Sequence, residues 1–353
     1  MTTASDAVAA LYRDVQRCAQ SAGLVYVEDE APGISRTRRG KGFCYRTANG
    51  TLITDIEMKQ RLAALAIPPA WRSVWICPDP DGHLLATGED DRGRKQYIYH
   101  PKWRELRDML NAYRLIAVGE SLPAVRRHVS AQLRRRTMDR DRVVAAMIRI
   151  LDSSGIRIGN EVYADENDSV GLTTLTSRHV RVDGAVVEFD FPAKSGQRAR
   201  IAITDPQVAA VVEFLRTQRR RRLFTVAGEP VSAPEVNAAL GALTADRMTA
   251  KDFRTWRGTL AAFCHLRRHL DADPETTAIA AVDAAATELG NTRAVARDHY
   301  VHPHLLASFA DGTLAQHLTD VRPRRTALLD PDERRLLAVL ERLLADLDND
   351  LAA

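Results

Sequence analysis

Five short stretches of this 353-residue chain carry side chains that can act together on a phosphodiester. They are SGIRIGNEVY (154–163), FPAKSGQ (191–197), TAKDFRTWRGTLA (249–261), LGNTRAVA (289–296) and RDHYVHP (297–303). A tyrosine hydroxyl, with an ordinary pKa of about 10, attacks poorly at neutral pH unless neighbouring cations stabilise its developing charge. Arginine pairs supply that stabilisation while gripping both nonbridging oxygens through bidentate hydrogen bonds. A lysine on a turn can protonate the leaving oxygen. None of these steps calls for a metal.

The elements that must hold these residues follow from periodicity. Residues 5–22 place Val8, Leu11, Tyr12, Val15 and Ala19 on one helical face, with Ser5 as the N-cap and Gly23 as the stop. Strand-like runs follow at 24–27, 43–46, 51–54, 74–77 and 83–87, with turn chemistry at Asn49-Gly50 and Asp81-Gly82. Thr54 and Glu57 form a capping box for a helix ending before Pro68-Pro69. From residue 103 helical periodicity dominates, interrupted by strands at 178–182, 185–191 and 199–204. The expectation is an α+β protein: a small strand-rich N-terminal domain (1–91), a hinge (92–102), and a mainly α-helical domain (103–353) with a three-stranded β insert. The last helix is acidic and aligns Leu336, Leu340, Leu343, Leu344 and Leu347, so it should pack back on its own domain.

Composition narrows the classes. At 45% hydrophobic and 27% charged, without a uniformly apolar run of membrane length, a globular protein with no membrane span is expected. The first residues lack the basic start and apolar centre of a secretory signal, which points to an intracellular protein. Cys18, Cys44, Cys77 and Cys264 form no CxxC pair, so neither a zinc site nor a disulfide framework is indicated. Six of the 50 basic residues are lysines, which leaves 44 arginines. Seven acids against three arginines after residue 329 hide a body charge of +8 behind the net +4 and suit a polyanion partner. No P-loop is present, His265 and His269 lack the glutamate of HExxH, and His100, Lys102 and Asp108 miss the HxKxxxxD spacing.

The five segments resemble type IB DNA topoisomerases, specifically their short bacterial, poxvirus-like branch. The similarity extends into the first domain through GLVYVEDEAPGISRTRRGKGF and IPPAWRSVWICPDPDGHLLATGEDDRGRKQYIYHP, covering roughly residues 23–305. The resemblance implies a helical catalytic fold of the tyrosine recombinase and topoisomerase IB type. It makes Tyr300 the nucleophile that forms a 3′-phosphotyrosyl intermediate, Arg157 and Arg254 the phosphate clamps, and Lys194 the general acid for the 5′-oxygen. Poxviral and eukaryotic enzymes carry a histidine where this chain has Asn291. An amide still donates to a nonbridging oxygen but carries no charge.

The same resemblance gives Lys251 a DNA contact near the cleavage site, against the alternative of a solvated helix lysine. Asn160 and Tyr163 fall on a segment facing DNA, with packing as the alternative for Tyr163. Arg94, Lys95, Gln96 and Tyr97 mix cations, an amide and an aromatic, and suit phosphate and base-edge contacts. Arg36, Arg38, Arg39 and Lys41, expected in a loop, suit further phosphates. The implied enzyme relaxes supercoiled duplex DNA as a monomer, without ATP, metal or small-molecule cofactor, in the cytoplasm and associated with the nucleoid. The rivals are a tyrosine recombinase, disfavoured because Lys251 stands where HxxR has its histidine, and a noncatalytic DNA-binding relative.

Overall fold

The computed structural model describes residues 4–40, 42–159, 169–193, 197–245, 247–319, 321 and 328–352. The chain divides into two compact units, Met1–Arg114 and Leu115–Ala353. Together they have the α+β composition expected: an antiparallel sheet in the first, and helices with a three-stranded sheet in the second.

The first unit opens with two helices, α1 (Ala4–Arg13) and α2 (Val15–Ser21), where one was expected. Asp14 leaves helical geometry and accepts a hydrogen bond from Arg17 N at 3.0 Å, capping α2 and so breaking the run. β1 (Ile34–Arg39), β2 (Gly42–Arg46), β3 (Arg72–Ile76), β4 (Leu84–Glu89) and β5 (Lys95–Tyr99) form one antiparallel sheet in the order β2-β1-β3-β4-β5. The runs expected as strands at 24–27 and 51–54 make only single bridges, Val25 to Gly82 and Leu52 to Arg46. α3 (Ile56–Ala64) is capped one residue later than expected, by Asp55, which accepts from Met58 N at 2.7 Å. Ile34, Ile53, Leu62, Ile67, Val74, Ile76 and Ala86 form the core beneath the sheet. The segment expected as a hinge contains β5, paired with β4 from Leu84 opposite Tyr99 to Glu89 opposite Lys95. It leads into α4 (Pro101–Leu133), a 33-residue helix within which the division between the units falls.

In the second unit α5 (Arg140–Ser154) precedes the three-stranded sheet of β6 (Val180–Asp183), β7 (Val186–Pro192) and β8 (Arg198–Thr204). The hairpin pairing of β6 with β7 and β7 with β8 buries Val187, Phe189, Phe191 and Ile203. Among the described residues seven helices follow, α6 (Pro206–Thr217), α7 (Ala233–Thr244), α8 (Ala250–Arg268), α9 (Pro274–Leu289), α10 (Arg293–Tyr300), α11 (Pro303–Ala310) and α12 (Thr313–Leu318), before the last, α13 (Pro331–Ala352). α8 is the central element, with Phe253, Trp256, Ala262, Phe263 and Leu266 all buried. As its leucine stripe requires, α13 buries Leu336, Leu340, Leu343 and Leu344 and lies against α8, α11 and α12. No helix among the described residues is long and apolar enough to cross a membrane.

Candidate active site

The site is assembled on three helix ends. α8 begins at Thr249, whose backbone N–H and hydroxyl both donate to Asp252 Oδ2, at 2.7 and 2.8 Å. This capping fixes the first turn, which exposes Lys251 and buries Arg254. α5 ends at Gly155, in the left-handed conformation (φ 60°), and α9 ends at Gly290 in the same conformation (φ 58°). Arg254 ties the three ends together. Its Nη1 donates to the Gly155 carbonyl and its Nη2 to the Leu289 carbonyl at 3.1 Å.

Tyr300 closes α10 directly against α8. Thr259 Oγ1 donates to the Tyr300 carbonyl at 3.0 Å and accepts from His302 N at 3.2 Å. Gly258 makes the close approach possible, since a Cβ there would fall 2.8 Å from the Tyr300 oxygen. A glycine inside a helical run costs about 1 kcal/mol against alanine and points to a packing reason, so Gly258 was a signal in the sequence for this contact. The Arg254 guanidinium lies over the Tyr300 ring, 5.0 Å from its centroid. Burial alone pushes the Tyr300 hydroxyl up. The guanidinium of Arg254 close by, with the charges of Arg157 and Lys251, outweighs it and holds the phenol below its ordinary value.

Arg157 follows the α5 cap on a segment pinned by Leu172 N to Arg157 O (2.9 Å) and Thr173 N to Ile158 O (2.8 Å). Its Nη2 donates to Asn291 Oδ1, which orients the amide. Asn291 Nδ2 is then buried without a protein partner among the described residues, the condition of a donor that a ligand oxygen would satisfy. Arg157, Arg254, Gly155, Leu289 and Gly290 line a cavity of about 500 Å³. Ala193 and Gln197, joined by Ala193 N to Gln197 O at 2.6 Å, line it as well. Lys194 lies outside the described residues, as do Asn160, Tyr163 and Lys41.

The catalytic-core model of eukaryotic DNA topoisomerase I matches residues 100–315, more than half of the chain. The chain belongs to the type IB DNA topoisomerases. A model of the N-terminal domain of bacterial DNA topoisomerase IB also matches, over residues 42–90. Among curated relatives, DNA topoisomerase 1B of Acanthamoeba polyphaga mimivirus is 27% identical over 290 residues, covering 78% of this chain and 86% of its own length. DNA topoisomerase 1B of vaccinia virus is 25% identical over 108 residues, or 30% of this chain and 34% of the viral one. DNA topoisomerase 1 of Schizosaccharomyces pombe is 27% identical over 178 residues, 50% of this chain and 20% of its own.

For a type IB topoisomerase, the side chains expected to meet DNA fare unequally. Arg38 and Arg39 are exposed on β1. Lys95 pairs with Asp29 at 2.7 Å and Arg94 with Asp90 at 2.7 Å, while Gln96 Nε2 donates to Asp90 Oδ2 at 3.0 Å. Tyr97 is exposed, with its ring stacked 5.9 Å from that of Tyr99. Arg36 is not a phosphate contact. It is an inward residue of β1, buried, donating to the carbonyls of Ile67 (2.8 Å), Pro68 (2.8 Å) and Trp71 (3.1 Å). A feature the motifs missed is a groove of about 1180 Å³ beside the cavity, lined by Arg178, Arg198, Arg221 and Arg222. The run Arg219–Arg222 was its signal in the sequence.

Proposed function

We propose that Tyr300 cuts one strand of duplex DNA and that this chain relaxes supercoils through the resulting break. Tyr300 gives its phenolic proton to solvent and its oxygen attacks the scissile phosphorus, the bond from phosphorus to the 5′-oxygen breaks, and Lys194 gives that oxygen its proton. The products are a 3′-phosphotyrosyl ester and a free 5′-hydroxyl. Arg254 and Arg157 stabilise the charge that gathers on the nonbridging oxygens, with Asn291 Nδ2 as a neutral donor. The cut end turns about the intact strand. The 5′-hydroxyl then attacks the ester, returns its proton to Lys194 and expels Tyr300. The ester retains the bond energy, so neither nucleotide nor divalent metal is called for.

The observation that carries this reading is the Arg254 guanidinium 5.0 Å over a half-buried phenol held below its ordinary pKa. Arg38, Arg39, Lys251, Lys95, Arg94, Gln96 and Tyr97 are assigned to DNA, those already in ion pairs exchanging an acidic partner for a phosphate. The enzyme acts as a monomer in the cytoplasm, on the nucleoid. The test is plasmid relaxation in EDTA without nucleotide, beside Tyr300→Phe and Lys194→Arg. Wild type should relax fully, Tyr300→Phe not at all, and Lys194→Arg should bind DNA normally but cleave slowly. Relaxation by Tyr300→Phe, or none by wild type, overturns the assignment.

A further inference from the structure

Behind the cavity, four helices of the second unit meet at one buried ionic node. Arg126 of α4 uses all five of its N–H donors there. Nε and Nη2 donate to Asp152 of α5, both at 2.8 Å. Nη1 and Nη2 donate to Glu333 of α13, both at 2.7 Å, and Nη1 also donates to the Leu328 carbonyl at 2.7 Å. Glu333 is 4% exposed. Its carboxylate accepts further from Asp330 N at 3.0 Å and from the indole Nε1 of Trp256 at 3.1 Å. Burial opposes its ionisation, and Arg126 outweighs burial, so it is a carboxylate held below its ordinary value.

Trp256 is two residues beyond Arg254 on α8, and it is held on a second side by α4. A Cβ at Gly119 would fall 2.6 and 2.7 Å from its ring atoms, so the indole has no room to move that way. The node therefore reaches Arg254 by two routes. Through Trp256 it sets the rotation and height of α8. Through Asp152, three residues before the Gly155 carbonyl that accepts from Arg254, it sets the end of α5. Arg257 Nη1 donates to the Asp152 carbonyl at 3.1 Å and closes the loop between the two routes.

We propose that Glu333, in the first turn of the C-terminal helix, is a positioning residue for strand cleavage: it holds α8, and with it Arg254, in place over Tyr300. The acidic C-terminal helix then belongs to the catalytic apparatus although it presents no group to the phosphate. This rests on the assignment of Arg254 and Tyr300 above. A node that sets Arg254 should change the chemical step and leave duplex binding alone, because none of its members lines the cavity.

The experiment is single-turnover cleavage of an end-labelled duplex by the full chain, with equilibrium binding of the same duplex and a melting curve for each variant. Glu333→Gln and Trp256→Phe are each made in the wild type and in Arg254→Ala. Trp256→Phe keeps the apolar packing and removes the donor to Glu333, so it decides the matter if Glu333→Gln does not fold. In the wild-type background Glu333→Gln should slow cleavage by about tenfold or more, as expected for a misplacement of a fraction of an ångström, with DNA affinity within about twofold. Trp256→Phe should slow it by about threefold. In Arg254→Ala neither change should slow cleavage further, because residues acting through one another are not additive. Unchanged cleavage in the wild-type background, equal loss of binding, or a full further slowing in Arg254→Ala overturns the proposal. Cleavage by Tyr300→Phe, run alongside, would instead overturn the assignment of the site.

Discussion

Replacing Gly258 with alanine tests whether cleavage depends on how closely α10 sits on α8. The added Cβ would lie 2.8 Å from the Tyr300 carbonyl oxygen, 2.9 Å from Leu289 Cδ1 and 3.1 Å from Tyr300 Cβ. The leucine methyl can rotate away, but the carbonyl oxygen is backbone. Bringing the 2.8 Å approach to the 3.4 Å of ordinary contact takes a withdrawal of about 0.6 Å. That movement stretches the 3.0 Å bond from Thr259 Oγ1 to the same oxygen. Overpacking of this kind costs about 1–3 kcal/mol of stability. Since about 1 Å of misplacement costs about a hundredfold in rate, 0.6 Å should slow cleavage by about tenfold. Single-turnover cleavage under excess enzyme reads the rate, duplex binding checks that DNA still docks, and a melting curve reads the stability. Gly312→Ala is the control: its φ of 81° makes alanine strained, yet no atom lies within 4 Å, so stability falls and the cleavage rate of folded protein does not. Wild-type cleavage by Gly258→Ala would refute the idea that this contact aims the tyrosine.

Three further outcomes follow from the same geometry. Asn291→Ala removes the acceptor of Arg157 and the unpartnered Nδ2, and should slow cleavage by about 10²–10³-fold, as for loss of one oxyanion donor; Asn291→His should add a titration near about pH 6.5 to the pH–rate profile that the wild type lacks. Arg254→Ala should raise the Tyr300 pKa, read by ultraviolet difference titration, because burial remains while the largest stabilising cation is gone. The sign for stability is the same: a phenol held below its unfolded value of about 10 adds stability as pH rises through its folded value, and Arg254→Ala should abolish that gain. Arg36→Ala leaves three carbonyls without their donor and should cost about 3 kcal/mol, at about 1 kcal/mol each, visible in the melting curve, with DNA affinity of the folded protein unchanged.

What the sequence disclosed depended on whether the decisive contact was local. The three strands of the insert were legible because each alternates and is bounded by turns, and the C-terminal helix because its leucines repeat on one face. The helix break at Asp14 and the cap at Asp55 were missed by choices between neighbouring residues that periodicity does not distinguish. Arg36 was misread because its partners are more than 30 residues away, and a buried arginine in a basic run looks like a solvated one. Arg157, Asn291, Arg254 and Tyr300 were picked out through a resemblance carried by five motifs. What brings them together is largely main chain, the carbonyls of Gly155, Leu289 and Tyr300, which leave little mark on residue type; the glycine at 258 is the mark that the seat of Tyr300 does leave. The node around Arg126 was invisible for both reasons, since Asp152, Trp256 and Glu333 carry no local pattern and meet only once four helices are packed.

Gly258 and Thr259 hold Tyr300 by its main chain, away from the atom that reacts. On the proposed assignment that residue is first the attacking group and then the leaving group, and the transition state is the same one approached from opposite sides. A clasp on atoms that take no part in bond making is indifferent to whether the phenol is free or esterified. The cut state therefore gives the tyrosine no relaxed resting place, and resealing requires only the return of the 5′ end. The lifetime of the break then belongs to the swing of the DNA, and the number of turns released per cut reflects the torsion driving that swing.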